Sequence, residues 1–225
     1  VLDLFSKNRF QAAKESAAKE IDEKLSLVSN GKCPFETTES ITVNLLNGQW
    51  MGNAVQASSL PVGVLIKPLT EMIAHHEALI KPYLGQILSL EHGFHALNSA
   101  MLKHGVVIYL PKDVCVTKPI FLNHWQNKEH QAVHQRHVII AEQGSAATII
   151  EVYAGDDNTS YFTNTVTEVA LAANAKITHY NVQHEGNHAL HIGHVIVRQD
   201  ESSEFLSHSL SLGGQLVRSD VTISL

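Results

Sequence analysis

The chain has 225 residues, a formal net charge of −6, and 17% charged against 44% hydrophobic residues, the proportions of a globular chain. That acidic balance excludes the basic stripe of a nucleic-acid binder, and no apolar run approaches the ~18 residues that would span a bilayer. Lys7 to Lys24 is charged throughout, without the apolar stretch of a secretory signal, and two cysteines cannot make a disulfide framework, so a reducing cytoplasm is the expected compartment.

The first predicted element is a helix. Phe10, Ala13, Ala17, Ile21, Leu25 and Val28 fall on one side of a helical wheel, and Asn30-Gly31 followed by Pro34 reads as its stop. Thr37 to Leu46 reads as a strand, and Asn47-Gly48 as a tight turn into Trp50. Leu69 to Leu102 is expected to be mainly helical, since Met72, Ile73, His76, Leu79 and Ile80 recur at spacings of three and four, with breaks at Pro82 and Gly93. The texture changes near Lys103-His104-Gly105, after which Val106 to Tyr109 opens a region of strands. Two parts follow: an N-terminal, mainly helical region over residues 1–104 and a β core over 105–225.

Within the core, three stretches copy one another. Ile140, Ala146, Thr148 and Tyr153 align with Val169, Ala175, Ile177 and Val182, and then with Val197, Ser203, Phe205 and Leu210, at offsets of 29 and 28. Each copy is a strand, a small polar corner (Gly144-Ser145-Ala146, Asn174-Ala175, Ser202-Ser203) and a second strand. One such unit cannot bury its apolar face alone, so the units must stack, and the repeat predicts a solenoid, a single-stranded parallel β-helix. Leu206, His208, Leu210 and Leu212 share one strand face, and Phe205, Ser207, Ser209 and Ser211 the other, the period of two of a half-buried strand. Leu225 falls inside an alternating strand, so the β-helix is expected to be incomplete at its C-terminal end.

Candidate chemistry centres on histidine, which occurs 15 times and clusters as His179, His184, His188, His191 and His194. Imidazole is a common ligand for zinc, copper, iron and nickel, so a metal-binding protein has to be weighed. On strands, however, residues three apart point to opposite faces, and only Glu185 interleaves as a further ligand, so surface histidines on coil edges are the plainer expectation. His134 and His137 form a His-x-x-His pair expected to lie beside Arg136. Asp156-Asp157 and Asn158 supply too few oxygen donors for a calcium loop and read as a turn. Cys115, between Val114 and Val116, is expected to be a small buried hydrophobe, and Cys33 to be exposed in a loop; neither neighbours a histidine that would activate it. No phosphate loop, nucleophile elbow or zinc-protease motif is present. A carbohydrate-active β-helix enzyme remains an alternative by analogy of fold, although its sheet faces would carry clustered Asp, Lys or Arg, whereas these strands are expected to expose Thr, Ser and His.

Phe94-His-Ala-Leu-Asn98-Ser-Ala-Met-Leu102, Gly105-Val-Val-Ile-Tyr-Leu-Pro111 and Lys118-Pro119-Ile120 form a run that resembles SufD and the related SufB, scaffold proteins of the SUF iron–sulfur cluster assembly system. Later blocks carry the same resemblance: Arg136-His137 to Glu142, Gly144 to Glu151, Ala172 to Ala175, and Ser207-His208-Ser209 leading to Leu212-Gly213-Gly214 and Arg218. The N-terminal part looks closer to SufD than to SufB. The resemblance implies a right-handed parallel β-helix flanked by helical segments, and a non-catalytic scaffold that pairs with a SufB-like subunit and a SufC-like ATPase. In isolation, a homodimer through strand edges near the C-terminal coils is expected. Iron or an iron–sulfur cluster would be handled at the level of the whole complex. The family's C-terminal Cys and His positions have no counterpart here, so no catalytic, cofactor or metal residue is carried over.

Overall fold

The computed structural model describes residues 10–12, 39–52, 55, 60–88 and 92–225. Its strands are β1 (Gln11–Ala12), β2 (Ile41–Leu46), β3 (Gln49–Met51), β4 (Leu65–Pro68), β5 (Val106–Leu110), β6 (Cys115–Gln126), β7 (Gln131–Ala141), β8 (Ala146–Gly155), β9 (Tyr161–Leu171), β10 (Lys176–His184), β11 (Leu190–Gln199), β12 (Glu204–Ser211) and β13 (Leu216–Ser224). From β5 onward they alternate between two walls of a parallel β-solenoid of about four turns. The first wall runs β13-β11-β9-β7-β5-β4, with β1 also pairing with β7; the second runs β12-β10-β8-β6-β2-β3. Strands from the N-terminal region join both walls, β2 in parallel to β6 and β4 antiparallel to β5.

One corner recurs in every turn. Asp113, Gly144, Asn174 and Ser202 all adopt left-handed backbone, with φ of 59°, 67°, 60° and 56°, at successive offsets of 31, 30 and 28 residues. Only a residue with a small or locally hydrogen-bonding side chain takes that conformation cheaply, which explains the corner composition. The corners stack by backbone bonds, Asp113 N to Gln143 O, Gly144 N to Ala173 O and Asn174 N to Glu201 O.

The true register differs by one residue from the sequence alignment. Ile139 pairs with Val169, an offset of 30, while Ile140 pairs with Ala170; Val169 then pairs with Val197 at the expected 28. A one-residue slip moves a side chain to the opposite face. Ile139 and Val169 indeed lie in the lumen, whereas Ile140 packs outside against the helices. The last coil shows a related correction. Phe205 pairs with Ile177 and packs on the core, while Leu206, Leu210 and Leu212 face out, 54%, 46% and 58% exposed.

The Asn47-Gly48 turn forms as expected, both residues at positive φ, and joins β2 to β3. The helical stretch is shorter than its periodicity suggests: α1 (Leu69–His75), α2 (Glu77–Ile80) and α3 (Gly93–Ala100), with the interruption at His76, φ −134°, and Gly93 opening a helix instead of breaking one. Helices α1 and α2 cover the first wall, Leu69, Met72 and Ile80 burying against Val107, Val138 and Ile140. Gln11 and Ala12 are strand, not helix, and pair with Gln131 and Ala132; the rest of the N-terminal helix expectation, and Cys33, lie outside the described residues. Gly105 permits a close approach, since a Cβ there would sit 1.7 Å from the Arg136 carbonyl oxygen. None of the helices is long and apolar enough to cross a membrane, among the described residues.

Candidate functional site

The lumen has two unlike halves. Beside the corners it is apolar, with Ile108, Leu110, Val116, Ile120, Ile139, Ile149, Val169, Ile177, Val195 and Val197 in one cluster. Two and four residues further along the same face, the alternation that points Ile149 inward also points Glu151 and Tyr153 inward. His124, Gln126, Gln135, His137, Glu151, Tyr153, Thr163, Thr165, Thr167, His179, Gln183, Glu185 and His191 are all buried.

Two carboxylates organise this polar half. Glu151 accepts from the Tyr153 hydroxyl at 2.6 Å, the Thr167 hydroxyl at 2.8 Å and His179 Nε2 at 3.2 Å. Glu185 accepts from the Thr163 hydroxyl at 2.6 Å, His191 Nδ1 at 2.7 Å and Gln183 Nε2 at 3.2 Å. Each therefore ties strands of successive coils. Burial alone would raise the Glu151 carboxyl, but the hydrogen bond and charge of His179, together with His137 and the Tyr153 hydroxyl, hold it below the usual carboxylate range. Tyr153 is pushed up by burial and by Glu151.

A run of rings crosses the coils beside these carboxylates. His124 stacks on Tyr153 at 4.3 Å between centroids, Tyr153 meets His191 edge-on at 4.9 Å, and His124 meets His137 at 5.0 Å. Burial, then the neighbouring His137, lower His124 to about 3, and burial lowers His137. Among the described residues, no three His, Cys, Asp or Glu side chains converge on a position that would hold a metal ion.

Outside the lumen, on the first wall, a second buried cluster sits under α3. Arg136 donates to Asn98 Oδ1 at 3.0 and 2.8 Å, to Glu168 Oε1 at 3.0 Å and to Ser99 Oγ at 2.8 Å. Asn98 in turn donates to the carbonyls of Gln135 and Asn164. The guanidinium, bonded through all three of its nitrogens, pins the helix to β7 and β9, and the motif residues Asn98 and Arg136 thus act as one structural unit.

The histidines predicted to decorate coil edges divide sharply. His184 and His188 are exposed, as expected. His179 and His191 are fully buried, and His194, half-buried, touches His95 at 2.5 Å, so the surface reading fails for them. His134 shares the outer face with Arg136 and contacts Asn164, but His137 faces the lumen, so the pair does not lie together beside Arg136. The Thr and His expected to be exposed on the strands are buried at Thr163, Thr165, Thr167, His179 and His191. Asp156, Asp157 and Asn158 form the exposed turn they were expected to form. Cys115 is exposed, not buried, because it opens β6 on the outward phase while Val116 takes the lumen. The sequence reading singled out none of Glu151, Tyr153, His124 and Gln183 as candidate site residues, although their shared parity with Ile149, Leu122 and Ile177 marks them as inward.

Comparison with known families matches residues 6–122 to the SufBD protein N-terminal region and residues 124–225 to the SufBD core domain of SUF system FeS cluster assembly. Protein ABCI7, chloroplastic, of Arabidopsis thaliana is 27% identical over 83% of this chain and 41% of its own length. An iron–sulfur cluster assembly SufBD family protein of Synechocystis sp. is 24% identical over 80% of this chain and 42% of its own. The chain thus spans about two fifths of the length of these relatives. The SufBD family protein ABCI8, chloroplastic, of Arabidopsis thaliana is 32% identical over 54% of this chain.

Proposed function

The chain belongs to the SufBD family of the SUF iron–sulfur cluster assembly system, and on that premise we propose that it is a non-catalytic scaffold subunit that pairs with a SufB-like subunit and a SufC-like ATPase. The family match along both parts of the chain, on a parallel solenoid, carries this reading. The chemistry of the lumen supports it. Each buried carboxylate accepts three hydrogen bonds, including donors from other strands, so groups that could act as acid or base instead hold the stack together. Iron or a cluster is cargo of the assembled complex in this reading, and the cytoplasm is the compartment, with the chloroplast named for two relatives as its competitor. In this reading residues 105–225 supply the coils of the scaffold, while the described part of the N-terminal region adds β2 and β4 to its two walls and covers the first wall with α1 and α2.

The test is co-purification of the full-length protein with SufB-like and SufC-like subunits from the same organism. Stable co-elution with raised ATP turnover by the SufC-like subunit is expected. A protein that purifies alone and carries stoichiometric metal would overturn the scaffold in favour of metal binding. Without its partner the protein should self-associate through strand edges near the C-terminal coils. A monomer by light scattering at all concentrations would refute that part alone.

A further inference from the structure

We propose that the lumen beside the Nε2 edges of His124 and His137 holds one neutral, water-sized molecule that accepts one hydrogen bond and donates another. The backbone N–H of Val106 donates to His137 Nδ1 at 3.1 Å. That nitrogen therefore carries the lone pair, and in the neutral ring the proton sits on Nε2. Gln135 is fixed by donating from Nε2 to the Gly48 carbonyl at 3.2 Å, so its Oε1 accepts from His124 Nδ1 at 3.1 Å. His124 thus carries its proton on Nδ1 and offers a lone pair at Nε2.

Both Nε2 atoms are buried and have no hydrogen-bond partner among the described residues. Their rings lie 5.0 Å apart at an interplanar angle of 63°. One is a donor and the other an acceptor, from adjacent coils and in opposite walls. Burial keeps both rings neutral, His124 titrating at about 3. A cation would find a single lone pair and a proton pointing at it. An anion would meet the His124 lone pair and the charge of Glu151, which acts on both rings. A molecule that accepts from His137 and donates to His124 satisfies both atoms, and native interiors rarely leave such atoms unsatisfied. The rival arrangement turns the His137 N–H onto the face of the His124 ring and leaves no room for a guest.

The site does not depend on the assembly role, so the two stand or fall separately. Long-range ¹H–¹⁵N spectra of the imidazoles in the full-length protein read both tautomers directly. The expected result is a proton on His124 Nδ1 and on His137 Nε2, with a magnetisation-transfer peak from water to the His137 Nε2 proton. His124→Phe keeps a ring and removes the acceptor, so that peak should fall several-fold while the circular dichroism is retained. Reversed tautomers, or an upfield-shifted His137 proton with no water peak, would overturn the proposal; the wild-type spectrum decides this even where the variant does not fold.

Discussion

The two halves of the lumen are built from the same strands and the same alternation, yet they hold the coils by different physics. Beside the Asp113, Gly144, Asn174 and Ser202 corners, each turn contributes branched apolar side chains whose burial is non-directional and scales with area. Towards the opposite loops, each turn contributes hydroxyls, imidazoles, an amide or a carboxylate, and these bond from one coil to the next. The apolar half supplies most of the driving force. It discriminates poorly between registers, because Val, Ile and Leu of one turn can cover those of another. The polar half discriminates strongly, since a slip of one coil position would strand Glu151 or Glu185 without its donors in a dry interior.

Breaking the apolar half should have the largest effect. Val197 is fully buried in the cluster with Ile177 and Val195, so Val197→Asp places an unpaired carboxylate there. A loss of about 4 kcal/mol or more is expected in urea unfolding, enough to abolish folding of a marginal chain. A loss below about 1 kcal/mol would show that this face is not the lumen.

The polar half should be broken by a change that keeps volume and removes only charge. Glu151→Gln leaves the Tyr153 hydroxyl, the Thr167 hydroxyl and His179 Nε2 aimed at a group with one acceptor oxygen and an NH₂. The expected cost is about 2–3 kcal/mol, the range for unmatched buried donors. A melting temperature equal to wild type would mean that these bonds contribute no net stability, and the contrast between the halves would collapse to one of packing.

Acid should sharpen the same contrast. His124 is held at about 3 in the folded protein against an ordinary 6.5, so the unfolded chain takes up its proton first, and stability falls as pH drops from 6.5 towards 3. Glu151 lies below its ordinary 4.5 when folded, so its contribution is present above that value and is lost as pH falls further. One such histidine accounts for at most ~1.4 kcal/mol per pH unit. Urea midpoints at pH 6.5, 5.5 and 4.5 should therefore converge less steeply in His124→Phe than in wild type. An unchanged slope would place the acid sensitivity elsewhere.

How much of this was readable beforehand depended on register. The corners were legible, because a left-handed turn demands Gly, Asn or Ser, and those residues stand at 144, 174 and 202. Anchoring the repeat on apolar Ile140 instead gave 29 where the corners give 30, and that single residue exchanged inside for outside in the earlier coil. Histidine was the costliest consequence. A His on an alternating strand is polar by composition but takes whichever face its parity dictates, and His179 shares parity with Ile177. The partners Glu151 and Glu185 sit 28 and 6 residues away from their histidines, distances at which no local pattern links them. Helix lengths failed for a local reason, since His76 leaves helical φ where the wheel pattern continues unbroken through Ile80.

The smallest predicted effect is also the cleanest discriminator between the composition of the histidine-rich segment and its geometry. His188 and His191 are three residues apart and chemically identical, but His188 is exposed in the loop before β11, whereas His191 is fully buried with its Nδ1 2.7 Å from Glu185. His188→Ala should change stability by no more than about 0.5 kcal/mol, the range for a surface substitution away from any buried network. His191→Ala deletes a donor to a buried carboxylate and opens a void beside Tyr153, with about 2 kcal/mol or more expected. Equal shifts in the two variants would mean that the loop and the strand share one environment, and the assignment of His191 to the lumen would have to be abandoned. Unequal shifts, with His188 silent, would show that parity on the strand, not membership of a histidine cluster, decides which imidazoles hold the solenoid together.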